Sequence, residues 1–114
     1  MNTNQLIKLT IAALEDLKAN DITVLEAEKN VSLFDYIIVA SATSSRQATA
    51  IANHIREKIK SAGGTVYGIE GERSGEWLLV DLGDVIVHIM QPTTRAYYNL
   101  EALWSESATF QHHP

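Results

Sequence analysis

One pair of acidic residues has a spacing that could support chemistry. Asp81 and Asp84 lie three positions apart, and carboxylate oxygens are the ligands that Mg²⁺ prefers in proteins. The two residues between them, Leu82-Gly83, are typical of a tight turn, where Asp is common because its side chain hydrogen-bonds the local backbone. We therefore interpret the pair as turn residues and predict neither a metal site nor a bound cofactor.

Histidine and serine residues offer no complete catalytic set either. His88 has no second histidine at helical or strand spacing. Ser41, Ser44 and Ser45 precede a predicted helix start, where anions bind readily, but the glycine-rich phosphate loop with its lysine is missing. Ser44 followed by Gln47 has the spacing of a capping box. We predict that the chain is not an enzyme and keep a degenerate nucleotide-binding protein as an alternative.

Composition sets wider limits on function. The 114 residues contain no cysteine, which excludes disulfides and thiolate zinc sites, and the formal net charge of −5 argues against a protein that coats nucleic acid. No stretch approaches the roughly 18 consecutive apolar residues that span a bilayer, and the first residues lack the basic and apolar regions of a secretory signal. A cytoplasmic protein without membrane contact is expected.

Hydrophobic periodicity predicts the element order αββαβββα. A first helix is capped at Thr3 or Asn4, strands follow at 22–27 and 36–40, and a second helix runs from Ser44 to the glycine pair at 63–64. Strands at 65–69, 76–81 and 85–90 precede a final helix that begins at Thr93 or Thr94. This order predicts an α/β (α+β) fold with a single mixed sheet of about five strands and helices mainly on one face. We expect one domain over residues 1–105 and a flexible tail over 106–114.

A two-residue turn at Leu82-Gly83 defines the register of the last hairpin. It places Asp81 opposite Asp84, Leu79 opposite Ile86, and Trp77 opposite His88, and opposite residues share a sheet face. One face is then wholly aliphatic and is expected under the helices; it carries Leu78, Val80, Leu82, Val85, Val87 and Ile89.

The other face of this hairpin mixes large apolar and charged side chains. It carries Trp77, Leu79, Asp81, Asp84, Ile86, His88 and Met90. An apolar patch with a polar rim is typical of a protein-binding surface, although a dimer partner or a C-terminal segment covering it is the alternative. Five acidic residues and one arginine between Glu70 and Asp84 leave a net charge of −4 there, which favours a basic partner.

Four ordered motifs resemble one known family. They are residues 34–47 (FDYIIVASATSSRQ), 70–71 (EG), 77–88 (WLLVDLGDVIVH), and the spaced set Arg95, Tyr98, Leu100, Glu101, Leu103 and Trp104. Together they cover about residues 6–105, and the pattern resembles that of the Iojap-related ribosomal silencing factors. Ala42 departs from it, since the family often has Gly at that position.

The resemblance implies a function that composition cannot. Members bind the large ribosomal subunit through ribosomal protein uL14 and sterically block joining of the small subunit, which represses translation in stationary phase or under nutrient limitation. Organellar relatives act in large-subunit assembly, and homodimers form in some settings. The implied fold is nucleotidyltransferase-like without the catalytic residues, with little or no direct nucleic-acid contact.

We combine this resemblance with the hairpin faces into a set of partner-binding residues. Trp77, Leu79, Ile86 and Met90 form the apolar centre of the predicted surface, with His88 beside them and Asp81 and Asp84 at its rim. Arg95, Tyr98 and Glu101 extend it from the final helix. An obligate homodimer that uses the same face, with a role in ribosome assembly, is the competing interpretation.

Overall fold

The fold is a five-stranded mixed sheet with two long and two short helices. A computed structural model describes residues 1–27 and 33–105, of which 103–105 are described by their backbone alone. The elements are α1 (Thr3–Asp16), β1 (Asn20–Glu26), β2 (Tyr36–Ser41), α2 (Ser45–Ser61), β3 (Gly68–Glu70), β4 (Trp77–Asp81), β5 (Val85–Met90), α3 (Pro92–Tyr98) and α4 (Leu100–Ser105). The predicted fold class is confirmed. The predicted tail at 106–114 lies outside the described residues.

Strand order places β5 and β2 inside the sheet. The order is β1-β2-β5-β4-β3, with β2 and β5 parallel and all other neighbours antiparallel. Parallel strands are normally covered on both faces, which agrees with the uninterrupted apolar run of β2. No helix of the described segments is long and apolar enough to cross a membrane.

Polar side chains fix both long helices at their starts. Asn2, one residue before the predicted caps, accepts a hydrogen bond from the Gln5 backbone N–H in a complete capping box. At α2 the predicted cap is confirmed, because Ser44 Oγ accepts from the Gln47 backbone N–H at 3.0 Å. The Gln47 side chain instead accepts from the Thr43 backbone N–H at 2.7 Å and donates to the Leu17 carbonyl at 3.1 Å, which ties α2 to the end of α1.

The single final helix that we predicted is in fact two helices. The first begins at Pro92 without a side-chain cap, so Thr93 and Thr94 are not its cap. Proline is favoured at the first helical position because it has no N–H to leave unsatisfied. Asn99 adopts a left-handed conformation with φ of 47° and separates α3 from α4, and Asn tolerates that region better than most residues.

The two faces of the sheet carry cores of different size. On one face, α1 and α2 pack on the aliphatic side of the hairpin, and all six predicted residues there are at most 4 % exposed. On the other face a smaller cluster forms around Leu25, Ile37, Val39 and Met90, with Phe34, Trp77 and Leu100 packed against it. The predicted aliphatic face is therefore confirmed, and the opposite face is only partly covered.

The predicted register of the hairpin is wrong by two residues. Trp77 pairs with Met90, Leu79 with His88, and Asp81 with Ile86. The turn residues are Gly83 and Asp84, because buried Leu82 stays in the ladder and donates its N–H to the Val85 carbonyl at 3.0 Å. A shift of two leaves every paired side chain on its predicted face, since strands alternate with a period of two, whereas Asp84 moves from the strand into the turn.

Gly71, part of the Glu70-Gly71 motif, occupies a position that no other residue fits. Its φ is +91°, and a β-carbon there would lie 2.1 Å from the Trp77 carbonyl oxygen. We expect Gly71→Ala to lower the free energy of unfolding by about 2 kcal/mol or more, because it adds both backbone strain and a clash. Urea unfolding measures this loss. Gly68→Ala is the control, since a β-carbon there meets nothing within 4 Å, and equal midpoints for the two variants would contradict the prediction.

Candidate protein-docking surface

Two of the predicted surface residues are buried in the chain itself. Met90 is 0 % exposed and belongs to the smaller core, and His88 is 9 % exposed. Both lie on the central strand β5, and the smaller core, to which α4 contributes Leu100, covers that strand on this face. The prediction that Met90 and His88 lie on an open surface is wrong for this reason.

The exposed part of this face is a cluster of three aromatic side chains. Trp77 is half-buried, and its ring packs against the Tyr98 ring at a centroid distance of 4.8 Å and an angle of 49°. Tyr97 packs edge-on against Tyr98 at 5.0 Å, and the two tyrosines are 81 % and 53 % exposed. We call Trp77, Tyr97 and Tyr98 the aromatic cluster. Large exposed rings that are already ordered are typical centres of protein interfaces.

Our set of predicted residues did not include Tyr97. The sequence carried a signal for it, because neighbouring helix positions point about 100° apart and two consecutive tyrosines in a short helix cannot both face the sheet. Tyr98 was predicted, and its contact with Trp77 places it where the prediction required.

Leu79 and Ile86 continue the face along the hairpin, and acidic residues border it. Both apolar side chains are half-buried. Glu70 pairs directly with Leu79 across the β3–β4 ladder, so this exposed carboxylate lies on the same face. Register thus adds Glu70 to the rim, where our prediction had not placed it.

The two predicted rim aspartates differ in their surroundings. Asp81 Oδ1 accepts the Gly83 backbone N–H at 2.9 Å, which is the turn role expected from the sequence. Asp84 is exposed in the turn, and its Oδ2 lies 3.5 Å from the Thr3 hydroxyl. Thr3 belongs to α1, which packs on the aliphatic face, so Asp84 lies in the turn beside the helices rather than at the rim predicted for it.

Arg95 and Glu101 hydrogen-bond to each other and link the final helices to the strands beneath this face. Arg95 Nε and Nη2 donate to the two Glu101 carboxylate oxygens at 2.8 and 3.0 Å, and Arg95 also donates to the Ser41 hydroxyl at 2.7 Å and to the Thr23 hydroxyl at 3.2 Å. The Arg95 side chain is only 11 % exposed. The guanidinium is therefore engaged with β1, β2 and α4, and these two residues support the surface rather than extend it.

His88 lies beneath the aromatic cluster as a hydrogen-bond acceptor. Its Nδ1 accepts the Trp77 indole N–H at 2.9 Å. Burial lowers the pKa of the His88 imidazole from 6.5 to about 4, because an apolar environment disfavours the charged form. The ring is consequently neutral near pH 7, which leaves Nδ1 free to accept.

The candidate anion site at the start of α2 is occupied by the protein's own side chains. The Ser45 hydroxyl donates to the Ser74 carbonyl at 3.0 Å and accepts from Gln91 Nε2 at 3.1 Å, and the same Gln91 nitrogen donates to the Gly75 carbonyl. Ser44 caps the helix. Among residues 1–27 and 33–105 no group of three or more histidine or acidic side chains could hold a metal ion.

The Arg95 network gives a stability prediction. We expect Arg95→Lys to lower the free energy of unfolding by about 1–2 kcal/mol, because lysine cannot reproduce the paired hydrogen bonds of the guanidinium to Glu101 and the two hydroxyls. Thermal unfolding measures the change. Arg73→Lys is the matched control at an exposed position, and we expect it to stay within about 0.5 kcal/mol of the native chain. A loss of the same size in the control would contradict this role of Arg95.

The buried imidazole predicts sensitivity to acid. The unfolded chain binds a proton at His88 near pH 6.5 and the folded chain near pH 4, so the unfolded state holds more protons between these values and stability falls as the pH falls. Because His88 is protonated only in the unfolded chain in this range, we expect the free energy of unfolding to fall by about 2 kcal/mol from pH 7 to pH 5. Urea unfolding at the two pH values measures the loss. His88→Asn should show a smaller loss, and equal losses in both proteins would refute the assignment.

Comparison with known proteins places the chain in a family. Residues 1–113 match the family described as "RsfS: Ribosomal silencing factor during starvation". A Chromobacterium violaceum protein named "Ribosomal silencing factor RsfS" is 51% identical over 91% of this chain and 85% of its own length.

A solved structure supports the same family as the sequence comparison, and a more distant relative in that family comes from a eukaryote. A crystal structure of a Chromobacterium violaceum protein has a TM-score of 0.88 at 50% identity, covering 92% of this chain and 88% of that chain. The mouse protein "Mitochondrial assembly of ribosomal large subunit protein 1" is 31% identical over 87% of this chain and 45% of its own length. The family match over nearly the whole chain, together with these identities, shows that the chain belongs to the RsfS family of ribosomal silencing factors.

Proposed function

We propose that this chain docks on the large ribosomal subunit through the aromatic cluster and blocks joining of the small subunit. Ribosomal protein uL14 at the subunit-joining face is the proposed partner, and repression of translation under nutrient limitation is the proposed outcome. The cluster is the observation that carries the proposal, because it is the exposed apolar centre of a face that the described part of the chain leaves partly uncovered. Relatives named as silencing factors support the ribosome as the target.

Charge supports a protein rather than RNA as the surface contacted. Glu70 is exposed and pairs with Leu79 of the face, and Asp81 is half-exposed and pairs with Ile86. Carboxylates at a rim favour a basic partner and repel phosphate. An acidic chain on an RNA-rich particle is consistent with docking on a basic ribosomal protein.

The proposed mechanism is steric exclusion and needs no catalysis. The backbone of the described residues measures 34 × 33 × 24 Å along its principal axes, so a bound copy is a substantial obstacle between two surfaces that must meet closely. The only requirement is affinity, which a few ordered aromatic side chains in an apolar centre can provide. Action in the cytoplasm, where ribosomes join, follows from the proposal.

A role in assembly of the large subunit is the second candidate. The name of the mouse relative refers to assembly of that subunit in mitochondria. Both roles use the same docking step, so they differ in when the factor binds rather than where. A deletion strain separates them: accumulation of immature large subunits during growth indicates assembly, and continued translation in stationary phase indicates silencing.

Binding to purified large subunits tests the proposal. We expect Trp77→Ala to weaken binding about 30-fold and Tyr97→Ala about tenfold, because truncating a central hot-spot residue costs about 2 kcal/mol or more and a flanking one less. Tyr97 is 81 % exposed, so its truncation leaves the fold intact. Tyr67→Ala is the matched control, since that tyrosine is 68 % exposed and packs beside Gly83, outside the cluster.

The same samples test exclusion and the homodimer alternative. The native chain added to both subunits should reduce the intact-ribosome peak in a sucrose gradient, and Trp77→Ala should not. Sedimentation of the free protein shows whether a stable dimer buries the cluster. Native protein that does not bind large subunits, or equal affinities for the Tyr97→Ala and Tyr67→Ala variants, would overturn the proposed function.

A further inference from the structure

His88 is a polar residue at a buried position of the sheet, where its neighbours on both adjacent strands are apolar. His88 lies on the central strand β5, where it pairs with Val39 of β2 and Leu79 of β4, and it is 9 % exposed. Burying a polar ring costs free energy unless it forms hydrogen bonds. A branched aliphatic residue would fill the same place in the strand, and the imidazole differs from it in having polar ring nitrogens.

The side-chain partner of this imidazole is Trp77. The two residues are diagonal neighbours across the β4–β5 ladder, because Trp77 pairs with Met90 and His88 with Leu79, and side chains at diagonal positions can reach each other when they are long or aromatic. The indole Nε1 donates to Nδ1 at 2.9 Å, and the ring centroids are 5.8 Å apart at an angle of 52°. An indole has a single N–H, so this bond fixes which edge of the Trp77 ring faces the sheet.

We propose that His88 is a positioning residue that orients Trp77 within the docking surface and does not itself contact the partner. This deepens the proposed function and rests on it. The hydrogen bond to His88 of β5 holds the sheet-facing edge of the Trp77 indole, and the Tyr98 ring of α3 packs against the indole at a centroid distance of 4.8 Å. Two contacts from different elements therefore fix this side chain.

The neutral state of the imidazole is consistent with this role. Nδ1 accepts only when it carries no proton, and burial lowers the pKa of His88 to about 4. The acceptor is therefore available throughout the physiological pH range. A side chain ordered before binding loses less conformational entropy in the complex, which increases affinity.

Two substitutions distinguish the effect of the hydrogen-bond acceptor from the effect of the volume of the His88 ring. In His88→Asn the amide oxygen lies close to the position of Nδ1 and accepts the indole N–H, whereas His88→Leu fills a similar volume without an acceptor. Both are made in the full chain on a Trp104→Phe background, so that Trp77 is the remaining tryptophan of the two in the sequence. Urea unfolding establishes that each variant folds cooperatively.

The first readout concerns the free protein and does not involve the ribosome. The indole N–H of Trp77 is followed by nuclear magnetic resonance through its hydrogen exchange with solvent. We expect exchange in His88→Leu to be about fivefold faster than in the native background, because the loss of one hydrogen bond of about 1 kcal/mol corresponds to that factor, and exchange in His88→Asn to remain slow. Unchanged exchange in His88→Leu would overturn the proposal.

The second readout is affinity for purified large subunits. We expect His88→Leu to weaken binding about three- to tenfold, as for one side chain that must be ordered on binding, and His88→Asn to restore it to within about twofold. A merely structural role would not be rescued by Asn. Faster indole exchange with unchanged affinity would show that the orientation of Trp77 does not matter for docking, and would refute the proposal.

A double-mutant cycle covers the case in which His88→Leu does not fold. Trp77→Phe removes the N–H and keeps an aromatic ring, and it is combined with His88→Val, a β-branched residue that suits a strand and has no acceptor. If the hydrogen bond positions the ring, His88→Val weakens binding when Trp77 is present and changes affinity no further once the N–H is gone; an equal loss in both backgrounds would contradict the proposal. Native protein that shows slow indole exchange but does not bind large subunits would instead refute the proposed function alone.

Discussion

Parallel pairing of β2 with β5 requires both faces of these two strands to be covered. Two long helices cover one face with an aliphatic core. On the other face, among residues 1–27 and 33–105, the short α3–α4 segment and the loop residue Phe34 bury Met90 and leave Leu79 and Ile86 half-exposed. The incomplete cover on this second face creates the candidate docking surface, because strands that are apolar on both sides cannot hide all of their side chains under so little chain.

Arg95 links the α3–α4 segment to the sheet. Its guanidinium joins α3 to Glu101 of α4 and to hydroxyls of β1 and β2, and one turn further along α3 the Tyr98 ring packs against Trp77. Polar contacts inside the fold therefore determine where an apolar surface residue lies. The membership of the chain in the RsfS family gives this arrangement a context, since the steric exclusion proposed above needs a rigid and accessible binding face.

Much of the fold could be predicted because its signals are local. Ser44 was identified as a cap from its type and position, and the period of two assigned the paired residues of the hairpin to their faces although the register was wrong by two. Trp77 and Tyr98 were predicted at the site from residue type and resemblance, and they are in contact. The register error arose because Leu82 lies in a stretch of sequence that is typical of a turn. Its side chain is buried, which keeps Leu82 opposite Val85, and burial is not a local property of the sequence.

The sequence by itself determined the element types, the sheet faces, the acidic segment and the family. Only the tertiary structure decided that Met90 and His88 lie inside, that Arg95 and Glu101 bond to each other, and that Glu70 joins the rim. These outcomes depend on the reversal at Asn99, which folds α4 toward β1, and on pairing between strands that are distant in the chain. The alternation of residues along a strand specifies which face a side chain occupies, whereas its exposure depends on which other segment of the chain packs over that face.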